Sequence, residues 1–280
     1  MHFGEIQDLK QLNSIDFSLP DINLVSKATS QETGKFYFGA PAWGEKSWIG
    51  SIYPKGTKPT DFLKYYSQTF NNIELNTSFY RVPTIEDINL WKSKVDSRFK
   101  FSPKFPKQIS HLGGMNNKSL VTEFIERVRL FEQKLGVIFL QLNESFGANR
   151  VKELANLVSF LPKDLSFAFE FRHPSWFPLK NNLLESMANH NISTIITDVA
   201  GRRDIIHSNI TSNQVFIRFV GNALHPSDFK RLDVWIVRIH EFLDLGLDVY
   251  FNIHEPDEIT TPDIVMYLKG KYPELLDFNE

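Results

Sequence analysis

Residues 135–173 read LGVIFLQLNESFGANRVKELANLVSFLPKDLSFAFEFRH. Two apolar runs, 137–142 and 166–171, bracket a connection long enough to hold a helix. Each run is short and rich in β-branched or aromatic residues, the character of a strand buried on both faces. Strands joined by a helical crossover run parallel, because the helix returns the chain to the edge that it left.

The same alternation extends in both directions from this stretch. After Gly34, apolar runs fall at 36–40, 73–76, 99–102, 137–142, 166–171, 194–197, 215–219 and 248–253. Helical spacing lies between them. Phe62, Tyr66 and Phe70 recur every fourth residue, as do Leu120, Phe124 and Val128. Phe229, Leu232, Trp235, Ile236, Ile239 and Leu243 make a longer stripe. Thr84 with Asp87 forms a variant capping box before Ile88 and Trp91. Gly136 and Gly246 close helices just before strands, and Pro262 suits a first helical turn. The sixth connection, 201–211, has the weakest helical pattern. Eight strand–helix repeats predict a single-domain α/β fold, a (β/α)8 TIM barrel over residues 36–280. Residues 1–35, without a sustained period, are expected to be an extension packed on it or loosely attached. The alternative is a doubly wound open sheet. It is disfavoured because the first run leads into GAPAWGEKSW (39–48) and not into a G-x-G-x-x-G turn.

Composition narrows the function. With 42% hydrophobic residues in 280, the chain can bury a large core that absorbs most of its 25 Phe, 8 Tyr and 5 Trp. Thirty-one basic residues balance 33 acidic ones, which argues against a general nucleic-acid or membrane-surface role. There is no cysteine, so disulfides, thiolate metal sites and a cysteine nucleophile are excluded. No apolar run approaches the ~18 residues of a membrane span, and MHFGEIQDLKQLNSIDF lacks the regions of a signal peptide. The expectation is a cytoplasmic protein.

Polar residues gather where the runs end. Glu74 and Asn76 end the second, Lys104 follows the third, and Gln141 ends the fourth. Glu170, Arg172 and His173 end the fifth, Asp198 follows the sixth, Arg218 ends the seventh, and Asn252 and His254 end the eighth. In a barrel these ends form one ring around one mouth, where barrel active sites lie. Glu74, Glu170 and Arg218 sit inside the apolar runs IELN, FAFEF and VFIRF, so each must be paired, hydrogen-bonded or functional. A structural ion-pair network satisfies that requirement as well as a catalytic site does.

The stretch 36–111 resembles the YecE-like family, domain of unknown function 72. The matching pieces are WGEKSWIGSIYP, then F-x-x-I-E-L-N-T-S-F-Y-R-V-P at 70–83, Trp91, and FKFSPKFP with ISH at 99–111. LGVIFLQLNESF (135–146) and AFEFRHPSWF (168–177) resemble further segments, so that the likeness covers about residues 36–255. The chain departs from the family pattern with GAPAW for G-T-S-G-W, with Asn143-Glu144 for Pro-Pro, and with FNIHEP at the end of the last strand. The resemblance implies a TIM barrel and supplies no reaction.

The residues themselves suggest an enzyme working by general acid–base chemistry on a small anionic or sugar-like substrate. Glu74 and Glu170 would divide the acid and base roles if their surroundings separate their pKa values. Barrel glycosidases commonly carry such pairs on strands four and seven, where this chain has Gln141 and Arg218. Lys104 could bind an anion or, if desolvated, form a Schiff base. Arg172 and Arg218 could clamp a carboxylate or phosphate, with Asp198 orienting one of them or a histidine. Asn76, His111, Gln141, His173 and Asn252 complete the polar lining. Trp43, Tyr80, Arg81 and Trp176 stand in the loops above it, where aromatic faces could stack a ring. A hydrophobic lid is the alternative for Phe79 and Trp48. Two other functions are weighed: a ligand- or nucleic-acid-binding barrel without turnover, and a divalent-metal isomerase or phosphoesterase using His111, His173, His254, Glu74, Glu170 and Asp198.

Overall fold

In the computed structural model, which describes residues 3–25 and 32–278, the apolar runs are strands that pair in parallel. They are β1 (Phe36–Ala40), β2 (Asn72–Leu75), β3 (Lys100–Pro103), β4 (Ile138–Gln141), β5 (Phe167–Glu170), β6 (Ile192–Thr194), β7 (Ile196–Asp198), β8 (Gln214–Val220) and β9 (Asp248–His254). The helices are α1 (Phe62–Tyr66), α2 (Thr77–Tyr80), α3 (Ile85–Lys94), α4 (Lys107–Ser110), α5 (Lys118–Arg129), α6 (Val151–Phe160), α7 (Asn181–Asn189), α8 (Pro226–Asp244) and α9 (Thr261–Lys271). Thr84 and Asp87 make the expected reciprocal cap of α3, and Pro262 lies in the first turn of α9.

The fold is a mixed α/β unit whose two larger parallel ladders are ordered β3-β2-β1-β9-β8-β7 and β4-β5-β6. The ladders themselves do not close, which leaves the expected complete barrel only partly met. Two features account for the gaps. Pro103, at the end of β3, has no N–H to give. The β3–β4 seam is therefore reduced to isolated bridges, Phe101 with Leu135 and Lys104 with Phe139. The expected sixth strand is interrupted at Ile195, so β6 pairs with β5 while β7 pairs with β8.

Period-two alternation decides what each strand presents. One set of side chains packs with the helices in the main core. The other set forms a separate inner cluster of Tyr37, Val137, Phe139, Ala168, Ile195, Phe216 and Tyr250. Two residues farther along the same strands come Gln141, Glu170, Thr197, Arg218 and Asn252. The polar residues at the strand ends therefore stand directly above an apolar floor.

The sixth connection forms no α-helix, only the short turn Arg203–Ile205 and the two-residue strand Asn209–Ile210. Asn23–Leu24 pairs with that strand, and Phe3 packs beside Val199, Ile205 and Val220. Of the expected extension, residues 1–2 and 26–31 lie outside the described residues. Gly201 donates its N–H to the Gly4 carbonyl at 2.9 Å, and a Cβ on Gly201 would lie 2.5 Å from that oxygen. Gly201→Ala is therefore expected to lift the N-terminal segment, at about 1–3 kcal/mol. Limited proteolysis under native conditions should cut faster within residues 3–25; an unchanged cleavage rate would argue against this contact.

Candidate functional site

The strand ends assemble a continuous hydrogen-bonded chain of charged and amide groups. At its centre Arg218 is fully buried between two fully buried carboxylates. Its Nε and Nη2 donate to the two oxygens of Glu74 at 3.0 and 2.9 Å, and its Nη1 donates to Glu170 at 2.7 Å. Glu74 also accepts from Asn76 Nδ2 at 3.0 Å and from His254 Nε2 at 2.9 Å. A carboxylate can only accept, so His254 carries its proton on Nε2. Glu170 also accepts from Arg172 Nε at 2.7 Å and from Gln141 Nε2 at 2.9 Å. Gln141 passes the chain on, since its Oε1 accepts from Lys104 Nζ at 2.9 Å.

The electrostatics follow from this wiring. Burial pushes the Glu74 carboxyl up, but Arg218 and then His254 more than reverse that and hold it well below the usual range. Burial likewise raises Glu170, and Arg172 and Arg218 bring it down to about 2. Both carboxylates move the same way, so they do not divide into an acid and a base as the sequence reading required. Burial lowers His254 against the pull of Glu74. Lys104 differs from all of these. Burial first, and then Arg218, push its ammonium down to about 8. Its Nζ lies 4.5 Å from the Phe79 ring centroid. His111, lowered to about 4 by burial and by the charges of Lys104 and Arg172, stands edge-on to the same ring at 5.0 Å.

Other expected site residues are placed elsewhere. Asp198 follows Thr197, which faces inward beside Arg218, so alternation turns Asp198 outward to α8. There it accepts from Trp235 Nε1 at 2.6 Å and pairs with Arg231 and Arg203. That corrects its reading as an orienting residue of the mouth. Trp176 is also corrected: it is buried against Phe171, and its Nε1 donates to the Phe146 carbonyl. His173 caps the short helix Pro174–Trp176 by accepting from Ser175 N. Arg81 pairs with Asp87 on the surface. Trp43 packs edge-on against Trp91, and Asn252, one step below His254, accepts from Asn72 Nδ2. Tyr80 stays exposed beside Phe79.

His254 is the functional candidate that the sequence reading weighed only as a metal ligand. Its signal is its position two residues beyond Asn252, on the same face of β9. No cluster of three or more His, Asp or Glu suited to a metal forms among the described residues. The carboxylates that a divalent cation would need are taken by guanidinium groups, so this donor set does not fit one. No helix among the described residues is long and apolar enough to cross a membrane.

Comparison with known proteins agrees with this geometry at the level of fold. The chain is 26% identical over 251 residues to the UPF0759 protein YecE of Escherichia coli K12, covering 82% of this chain and 89% of that protein. It superposes on a DUF72 family protein of Thermotoga maritima MSB8 with a TM-score of 0.70 and 22% identity, over 86% of this chain and 99% of that one. A DUF72 family protein of Enterococcus faecalis V583 gives a TM-score of 0.67 at 18% identity, over 86% and 98%. The family model described as "Protein of unknown function DUF72" matches residues 37–275, and the chain belongs to that family.

Proposed function

We propose that the strands complete a closed (β/α)8 barrel, β6 and β7 counting as one interrupted strand, with residues 1–35 as an extension to a 36–280 unit. Its C-terminal mouth would then be an enzyme site for a small anionic or sugar-like substrate, with acid–base chemistry centred on Lys104. Closure is supported by the two parallel bridges across the β3–β4 seam and by the continuity of the chain from β6 into β7.

The observation that carries the functional reading is the state of Lys104. It is only 8% exposed, donates one hydrogen bond, to an amide oxygen, and forms no ion pair among the described residues. An ammonium has three donors, so Lys104 can still donate to a substrate. Arg172 pairs with Glu170 and reaches Glu144 at 3.8 Å, and Arg218 pairs with both buried carboxylates, so Lys104 is the cation of the cluster that an anionic group on the substrate would meet. With its pKa near neutrality, Lys104 can also exchange a proton with a bound substrate. Glu74 and Glu170 then fix Arg218 and, through Gln141, the lysine.

The test is calorimetric titration with sulfate, which keeps its charge through this range, between pH 6.5 and 9.5. Binding is expected to be level below the lysine value of about 8 and to weaken about tenfold per pH unit above it. Saturable binding that ignores pH, or no binding, would remove the reading.

A further inference from the structure

The two most exposed large apolar side chains among the described residues are Tyr80, at 77%, and Leu112, at 66%. Both flank Lys104. Tyr80 follows Phe79, whose ring lies 5.1 Å from its own and 4.5 Å from the Lys104 ammonium. Leu112 follows His111, whose ring meets Phe79 at 5.0 Å. A solitary exposed apolar residue is ordinary, but an exposed tyrosine ring against the phenylalanine that covers a buried cation calls for an explanation.

The turn that carries these rings is rigidly held. α2 is a single helical turn directly after β2, and the hydroxyl of Ser78 lies buried inside it. Ser78 Oγ contacts both the Leu75 and the Lys104 carbonyl oxygens at 2.7 Å, tying the turn to the ends of β2 and β3. Phe79 and Tyr80 are thus presented by a backbone that is already ordered, which lowers the entropy lost when a ligand stacks on them.

We propose that the substrate is an aromatic anion: a carboxylate or phosphate seated on Lys104, joined directly or by a short spacer to a flat ring that packs on Phe79 and Tyr80. This rests on the anion reading of the same site and names the body of the molecule that carries the charge. Ring pairs of this kind favour centroid separations of about 4.5–7 Å, the spacing already found along Phe79, Tyr80 and His111. Charge complementarity sets one end of the ligand, and the exposed apolar rim sets the other.

The experiment compares benzoate with acetate, and 3-phenylpropionate with propionate, at pH 7, in the wild type and in Tyr80→Ala. Within each pair the charge and head group are the same. At least one aromatic acid is expected to bind at least tenfold tighter than its aliphatic partner. Tyr80→Ala, at an exposed position, should reduce that ratio by about three- to tenfold. Equal binding within both pairs would overturn the aromatic proposal and leave the anion site standing. A preference that Tyr80→Ala does not touch would also overturn it. Failure of all four acids to bind would remove both readings.

Discussion

Arg218→Met is expected to cost about 3–5 kcal/mol of folding stability, because it removes the guanidinium that bridges two buried carboxylates and leaves Glu74 without its arginine. Methionine fills the space and offers no charge. Glu170 keeps Arg172 and Gln141, but Glu74 is left with Asn76 and His254. The cost should also depend on pH. In the wild type both carboxyls lie below their unfolded value of about 4.3, so their contribution is present above that value and is lost as pH falls through the folded values. Between pH 5 and 7 it is flat. In the variant, burial without the guanidinium raises the Glu74–His254 pair's affinity for a proton, so its native state can hold the proton that the unfolded histidine takes up below about pH 6.5, whereas the wild-type native state, with His254 lowered, does not. The stability lost relative to the wild type should then shrink from pH 7 to pH 5. Urea melts at the two pH values decide it; a variant as stable as the wild type at pH 7 would mean that Arg218 is not what compensates these charges.

That core was legible in the sequence because of where its charges sit. A glutamate inside FAFEF or IELN, or an arginine inside VFIRF, has no way to reach water without leaving its strand. The pairing of Glu74 and Glu170 with one guanidinium was not legible, because it depends on which strands face each other across the inner cluster. Asp198 was misplaced for a related reason. Thr197 and Asp198 are neighbours, only one can face inward, and the break at Ile195 hides which one does. Trp176 and Arg81 were assigned from their positions in loops, and loop position says little about side-chain direction. Trp176 turned into the core to give its indole N–H to Phe146, and Arg81 turned away to Asp87. The strand pattern itself was read nearly residue by residue. The missing sixth helix was foreshadowed by the weak pattern of 201–211, but the partner that covers it, Asn23–Leu24, carries no periodic signal.

Lys104→Met is expected to have opposite effects on binding and on stability. Sulfate binding should disappear, since Lys104 supplies the only cation in the cluster without an ion pair among the described residues. Folding should strengthen. Burial holds the Lys104 ammonium down at about 8, below the ordinary lysine value of about 10.4, which corresponds to a protonated lysine opposing the fold by on the order of 3 kcal/mol at pH 7. The sign follows from proton linkage: between about pH 8 and the unfolded value the unfolded chain binds more protons, so wild-type stability rises with pH through that window. Methionine removes the opposing charge. The variant should therefore be the more stable protein at pH 7, with its advantage shrinking toward pH 10. Urea melts at both pH values test the stability arm, and calorimetry tests the binding arm. A variant that is weaker than wild type at pH 7 and still binds sulfate would overturn the argument. A side chain that the fold would be more stable without, and that donates within the chain to one amide oxygen, is placed for something the chain does not itself contain.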